Sequence, residues 1–238
     1  GVGTLNIDNG TDNQATTDPN YNYYVKNNWK VPESAGGNWN FSRIRAFNYF
    51  FEQVLPKAEA KAIAGSEKNI NHYIGEAYFL RALEYFDKLQ MFGDFPIITE
   101  TLPDQHEVLM EASKRQPRNM VARFIIEDLD KAINLLQSNF KSKNRITKNA
   151  ALLLKSRVAL YEASFLKYHR GTPRVPGEAG WPGAKMDYNA NFSINLDSEI
   201  DYFLTQSMSA SKEVADQISL TPNSGVLNPI GTEFAGWN

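Results

Sequence analysis

The chain contains no cysteine. Disulfides, thiol nucleophiles and cysteine-ligated metals are therefore excluded. Histidine is scarce: His72, His106 and His169 share no metal-ligand spacing and are read as solvent-exposed residues near helix ends or in loops. Neither charge sign dominates. Twenty-five Lys and Arg stand against 27 Asp and Glu, for a net charge of −2, and no basic run or face points to nucleic acid. Long apolar runs are also missing. The longest aliphatic stretch, Ala150 to Leu154, is far too short to cross a bilayer. There is no nucleophile elbow, P-loop, dinucleotide fingerprint or zincin motif, and no residue pattern calls for a cofactor or a metal. The start, Gly1-Val2-Gly3-Thr4, is no signal peptide and reads as the interior of a longer protein.

What is present is a folded composition, with 42% hydrophobic and 12% aromatic residues among 238. Residues 1–40 differ from the rest. They hold nine asparagines, several glycines, Pro19 and Pro32, and the aromatics Tyr21, Tyr23, Tyr24, Trp29 and Trp39. No helical period survives there, so the segment reads as a long irregular loop region. Residues 41–220 read as a helical core, interrupted by a Pro- and Gly-rich excursion over 171–195. Residues 221–238 read as an irregular tail.

Within the core, Ile44, Phe47, Phe51, Val54 and Leu55 share one helical face. A second helix starts near Asn69 or Asn71, either of which can cap it, and runs to Phe92. It is apolar on nearly every face, which places it inside a helical assembly. Gly93 and Pro96 end it. Residues 94–116 form a connector, with a small hairpin near Phe95–Thr99 compatible with the pattern. Pro117 opens a third helix with the stripe Val121, Ile125, Leu129, Ala132, Ile133 and Leu136. Thr147 caps a fourth with Ala151, Leu154, Val158, Tyr161 and Phe165 inward. Ser198-Glu199-Ile200-Asp201 reads as a capping box opening a fifth, with Ile200, Leu204, Met208, Val214 and Ile218 inward. Five helices in antiparallel pairs suggest an α-helical solenoid. Ala82-x3-Phe86 matches a fragment of the tetratricopeptide pattern, without a strict 34-residue period.

Arg81 lies mid-helix among apolar residues. A buried guanidinium requires a partner, and Asp94 and Asp128 are the two candidates. Asp128 belongs to the run Glu127-Asp128-x-Asp130, whose default is a solvated face. Trp39, Trp29, Tyr21 and Tyr23 lie among Asn38, Asn40 and Asp12. Aromatic platforms beside planar amides and carboxylates match the apolar faces and hydroxyl rims of sugars. The alternative is that these rings anchor the loop to the core. Trp181, in the second irregular segment, is either another platform or a loop plug.

Several segments also resemble the SusD/RagB family of Bacteroidetes outer-membrane lipoproteins. Glu76 to Thr99, EAYFLRALEYFDKLQMFGDFPIIT, is similar to the family's E-A-x-F-L-R-A helix ending in G-x-V/F-P. Trp39 to Asn48 resembles its W-x-x-x-Y-x-x-I-x-x-x-N start with altered spacing, and Asp12-Asn13-Gln14 stands where an Asp-rich element is common. Ile126 to Ala132 is similar to I-x-x-D-L-x-x-A. Arg145 to Tyr161 resembles R-I/V-T/S-K-x-A-A followed by a helix ending L-Y.

The resemblance implies an all-α fold: a tetratricopeptide-like superhelix of helix pairs with long irregular ligand-binding loops. It implies an exported, cell-surface outer-membrane lipoprotein, anchored through a lipidated cysteine upstream of this chain. A SusC-type TonB-dependent transporter would be its partner. A full-length member is about twice this long or more, so the chain would end near the middle of such a protein. The expected function is non-catalytic glycan binding. The expected ligand contacts are Trp39, Trp29, Asn38, Asn40, Asp12, Tyr21, Tyr23 and Trp181. Arg81, Asp94, Gly93 and Pro96 are expected to be structural. Two other functions stay open: an α-helical glycoside hydrolase fragment, whose two acids need only lie about 5–10 Å apart, and a peptide- or protein-binding helical scaffold.

Overall fold

The computed structural model describes residues 38–140 and 144–219. The chain divides into two units, residues 1–40 and 41–238. Of the first unit, only residues 38–40 are described.

The described residues of the second unit form six α-helices: α1 (Ser42–Glu59), α2 (Glu67–Phe92), α3 (His106–Ala112), α4 (Arg118–Leu135), α5 (Lys148–Tyr168) and α6 (Leu196–Ala215). Two short 3-10 turns, Pro182–Lys185 and Asp187–Asn189, lie between α5 and α6. There is no strand among the described residues. In place of the expected hairpin, one antiparallel bridge joins Phe95 to Gln116, with N–H to O distances of 3.2 and 3.1 Å. The helix over 106–112 lies in a stretch read as connector. It has no buried residue, so it leaves no core stripe in the sequence.

The long helices pack in succession: α1 on α2, α2 on α4, α4 on α5 and α5 on α6, with α2 also touching α5. The main core lies between α2, α4, α5 and α6, around Tyr85, Leu89, Ile125, Leu129, Val158, Leu166 and Phe203. A smaller cluster forms where Phe51 of α1 meets Ile74 and Ala77 of α2. Each such large side chain taken from water contributes about 1.5–3 kcal/mol. α2 is not buried all round. Leu80, Leu83 and Met91 remain on the surface, and its inner faces carry charge instead, with Lys88 paired to Glu84 at 3.2 Å.

The Arg81 guanidinium is buried and fully committed. It donates to both oxygens of Asp128, at 2.7 and 2.9 Å, and to Asn48 Oδ1 at 2.9 Å. The Phe51 ring lies 4.6 Å from it. The partner is therefore Asp128, which points inward from α4, and not Asp94. Asn48 extends the network by donating to the carbonyls of Ile98 and Glu100, at 2.9 and 3.0 Å.

Capping agrees with the sequence at α5, where Thr147 Oγ1 accepts from Ala150 N–H at 3.3 Å. It differs at α2, which begins at Glu67 after Ser66, so neither Asn69 nor Asn71 caps it. It differs also at α6, where Asn195 Oδ1 accepts from Ser198 N–H at 3.1 Å. Ser198 is already inside the helix. The inward face of α6 is Ile200, Phe203, Ser207 and Ala210, while Met208 is 69% exposed. A step of four residues overshoots a helical turn by about 40°. The expected run from Ile200 through Leu204 to Met208 therefore drifts off the core.

Candidate functional site

α2 stops at Gly93, whose φ of +68° is in the left-handed region that favours glycine. The next residue, Asp94, ties three parts of the fold together. One carboxylate oxygen accepts the Arg118 backbone N–H at 2.8 Å. Pro117 precedes α4 and offers no side-chain acceptor, so Asp94 satisfies a first-turn N–H from outside the helix. The other oxygen accepts the indole N–H of Trp181 at 2.7 Å. Burial pushes the Asp94 carboxyl above its usual range, against the opposing pull of these hydrogen bonds and of the Arg118 and Arg115 charges.

The Arg118 side chain turns to α5. It grips Glu162 through Nε at 3.0 Å and Nη2 at 2.8 Å, and its guanidinium lies 3.2 Å from the centre of the Phe165 ring. Glu162 is wholly buried. Burial pushes its carboxyl up, and the Arg118 charge and hydrogen bonds oppose that shift.

The segment after α5 is a string of three-residue turns. Val175 N–H donates to Thr172, Glu178 to Val175, Trp181 to Glu178 and Ala184 to Trp181. This brings Trp181 down onto Asp94. The indole is 3% exposed, with Phe192 at 5.1 Å on one side. Gly183 lies so close that an added Cβ would fall 2.1 Å from Trp181 Cζ2. Asn189 then clips the turn by donating to the Gly183 carbonyl at 3.1 Å. Of the two readings of Trp181, the structure places the ring as a plug whose N–H is already engaged.

Around this plug lies a pocket of about 530 Å³, lined among others by Trp181, Tyr188, Asn189, Arg115, Arg118 and Arg174. Aromatic surface, planar amide and guanidinium groups meet there. Gly93 and Asp94 lie in its wall, and Pro96 is buried just beyond. The sequence reading missed Tyr188, Asn189 and the three arginines. The available signal was the density of turn residues around Trp181, together with Tyr188-Asn189.

The other expected ligand residues are placed differently. Trp39 is 37% exposed, and Asn38 and Asn40 flank it, with Asn40 N–H donating to the Asn38 carbonyl at 2.9 Å. Trp29, Asp12, Tyr21 and Tyr23 lie outside the described residues. The histidine reading needs one correction, because His72 is fully buried. It stacks on Phe140 at 4.0 Å, and its Nδ1 accepts the Gln137 N–H at 3.1 Å. Among the described residues no cluster of acidic and histidine side chains could hold a metal ion, and no helix is long and apolar enough to cross a membrane.

A family profile described as starch-binding and associating with the outer membrane matches residues 3–160. The chain belongs to the SusD-like family. The SusD-like protein P2 of Formosa agariphila is 31% identical over 110 residues, 46% of this chain and 21% of that protein. Among solved structures, a SusD-like protein of Bacteroides fragilis is 32% identical over 52% of this chain and 23% of its own, with a TM-score of 0.43. A SusD superfamily protein from the same organism is 20% identical and covers 79% of this chain and 32% of its own, with a TM-score of 0.50. The chain thus spans between about a fifth and a third of these relatives. The SusD-like match takes in α1 to α4 and α5 as far as residue 160, and with them Arg81, Asp94, Arg115 and Arg118.

Proposed function

We propose that this SusD-like chain is part of a non-catalytic receptor on the outer-membrane surface. It captures glycans and passes them to a SusC-type TonB-dependent transporter. The observation that carries the proposal is the family match over residues 3–160. Two features of the chain support it. One is the exposed Trp39 between Asn38 and Asn40. The other is the pocket around Trp181, where aromatic and hydrogen-bonding groups meet, the combination a sugar site needs. The ligand surface in this reading combines Trp39, Asn38 and Asn40 with Trp29, Asp12, Tyr21 and Tyr23. Helix pairing in succession supports a tetratricopeptide-like superhelix. An upstream lipidated cysteine anchors the protein, with a second membrane signal adding the affinity that one acyl chain lacks.

The test is calorimetric titration of the intact protein with starch and a panel of other polysaccharides, with reducing ends assayed in the same samples. The expected result is saturable heat without new reducing ends, weakened by Trp39→Ala. Reducing ends that grow with protein concentration overturn the reading in favour of a hydrolase.

A further inference from the structure

α1 and α4 both pack against α2, and a groove runs between them over the first half of α2. Its floor is one face of that helix, with Glu67, Ile70, Asn71, Ile74 and Tyr78 at helical spacing. Leu55 and Ala58 form the α1 wall and Leu135 the α4 wall. The cavity holds about 670 Å³. A second hollow of about 870 Å³ adjoins it, sharing Glu67, Asn71, Asn134 and Leu135 and continuing past Gln137 to Asn139. From Glu67 to Tyr78 the floor runs about 16 Å, at about 1.5 Å per residue. About five residues of extended chain cover that length.

The lining is unlike a sugar site. Aliphatic groups supply most of the apolar surface. The aromatic ring in the wall, Tyr78, is already stacked on Phe51 at 4.2 Å, with Lys131 Nζ 5.3 Å from its centre. Asn71 and Asn134 line both hollows, and among the described residues neither amide side chain has a hydrogen-bond partner. A carboxamide donates and accepts in one plane, which matches the N–H and C=O of a peptide backbone. Aliphatic surface beside such amides suits a chain that turns every second side chain inward.

The rim carries charge of both signs. Glu59, Lys61 and Glu67 line it, and none of them has an ion-pair partner among the described residues. Lys61 has a φ of +52°, in the left-handed region where glycine is less strained. The rim therefore keeps a charged side chain where the backbone favours none. Opposite signs side by side complement a segment that bears both basic and acidic side chains. A lone terminal ammonium or carboxylate would call for one sign at one end.

We infer that this groove docks an extended segment of a partner protein. Its aliphatic side chains lie on Leu55, Ile74 and Leu135, its backbone pairs with Asn71 and Asn134, and its charged side chains of both signs follow the rim. The site is separate from the glycan surface proposed above and does not depend on it.

The test is fluorescence-anisotropy titration of the intact protein with a labelled heptapeptide, capped at both ends, in which leucine and valine alternate with lysine and glutamate. It should bind saturably, and at least about tenfold tighter than the same peptide with serine in place of leucine and valine, the scale of removing several buried methylenes. Asn71→Ala and Asn134→Ala should each weaken it about five- to tenfold, the scale of one or two backbone hydrogen bonds, and leave polysaccharide titrations unchanged. Neither asparagine is in the buried core, and an unchanged urea midpoint shows that the variants are folded. Absence of saturable binding, a serine peptide that binds equally well, or variants that bind as wild type does overturns the inference. So does tighter binding of the uncapped peptide, which assigns the groove to free oligopeptides. A dimer in sedimentation that Asn134→Arg dissociates also overturns it, by assigning the groove to a second copy.

Discussion

The Asp94 carboxylate accepts the Trp181 indole N–H at 2.7 Å across 87 residues of sequence. With the Arg118 N–H on its other oxygen, one side chain fastens the end of α2, the start of α4 and the loop after α5.

Replacing Asp94 by alanine removes both bonds and leaves two donors to find water. The expected loss is about 1–3 kcal/mol of stability, read as a lower urea midpoint. The emission of Trp181 should also shift to the red as its ring gains water. The chain has four tryptophans, so the shift is assigned by repeating the measurement in a Trp181→Phe background, where it should vanish.

Gly183 is the complement of that ring. With an added Cβ at 2.1 Å from Trp181 Cζ2, Gly183→Ala must push the indole or the turn aside. Overpacking of this kind costs about 1–3 kcal/mol. Trp181→Phe in the same chain should return part of the loss, because the atom that clashes is gone. A double variant no more stable than Gly183→Ala alone would show that the strain lies elsewhere.

Arg81 and Asp128 are each expected to be costly to lose singly. Arg81→Met strands a buried carboxylate and Asp128→Leu strands a buried guanidinium. Such changes cost about 3–5 kcal/mol, whereas replacing both partners by apolar groups is far milder. Chemical denaturation of the two single variants and the double should therefore place the double closer to wild type than either single.

His72 sets a pH dependence. Burial holds its imidazole below the ordinary value of 6.5, with the Arg145 charge acting the same way and Glu76 opposing. A histidine whose folded value is lowered takes up its proton more readily in the unfolded chain. Its contribution is therefore complete above the unfolded value and is lost as the pH falls through it and on toward the folded value. Stability should decline as the pH falls through the ordinary histidine value of 6.5 and below it, and His72→Phe should flatten that decline even if it lowers the plateau. Asp94, whose folded value is raised, has the opposite sign and acts lower in the acid range.

The parts of this fold that could be read from sequence are those decided by neighbours in the chain. Gly93 closing α2 and Thr147 opening α5 depend on local backbone chemistry. So does the apolar stripe of α4. Some local readings failed as well, at the caps of α2 and α6 and over the exposed helix α3, but what the sequence left open or misread around the buried polar groups involves partners far away in sequence. Asp128, one of the two candidate partners of Arg81, lies in a charge run whose default is a solvated face, and only the fold, which brings Arg81 from 47 residues earlier against it, chooses it over Asp94. His72 looks like an ordinary helix-end histidine because Phe140, which covers it, lies in the irregular stretch after α4. Trp181 could be a platform or a plug until Asp94 takes its N–H. The arginines of the pocket carry no local signature at all, because segments far apart in sequence bring them to one place.

The segment after α2 shows how an irregular stretch is held without a sheet. Ile98 N–H donates to the Tyr85 hydroxyl at 2.8 Å. The same hydroxyl donates back to the Ile98 carbonyl at 3.0 Å, and Asn48 from α1 reaches that carbonyl too. The backbone here is protected by side chains of two helices. Its amide should exchange with deuterium only when the segment comes away from the Tyr85 hydroxyl, so a residue in a loop would report on how firmly α2 holds its own exit.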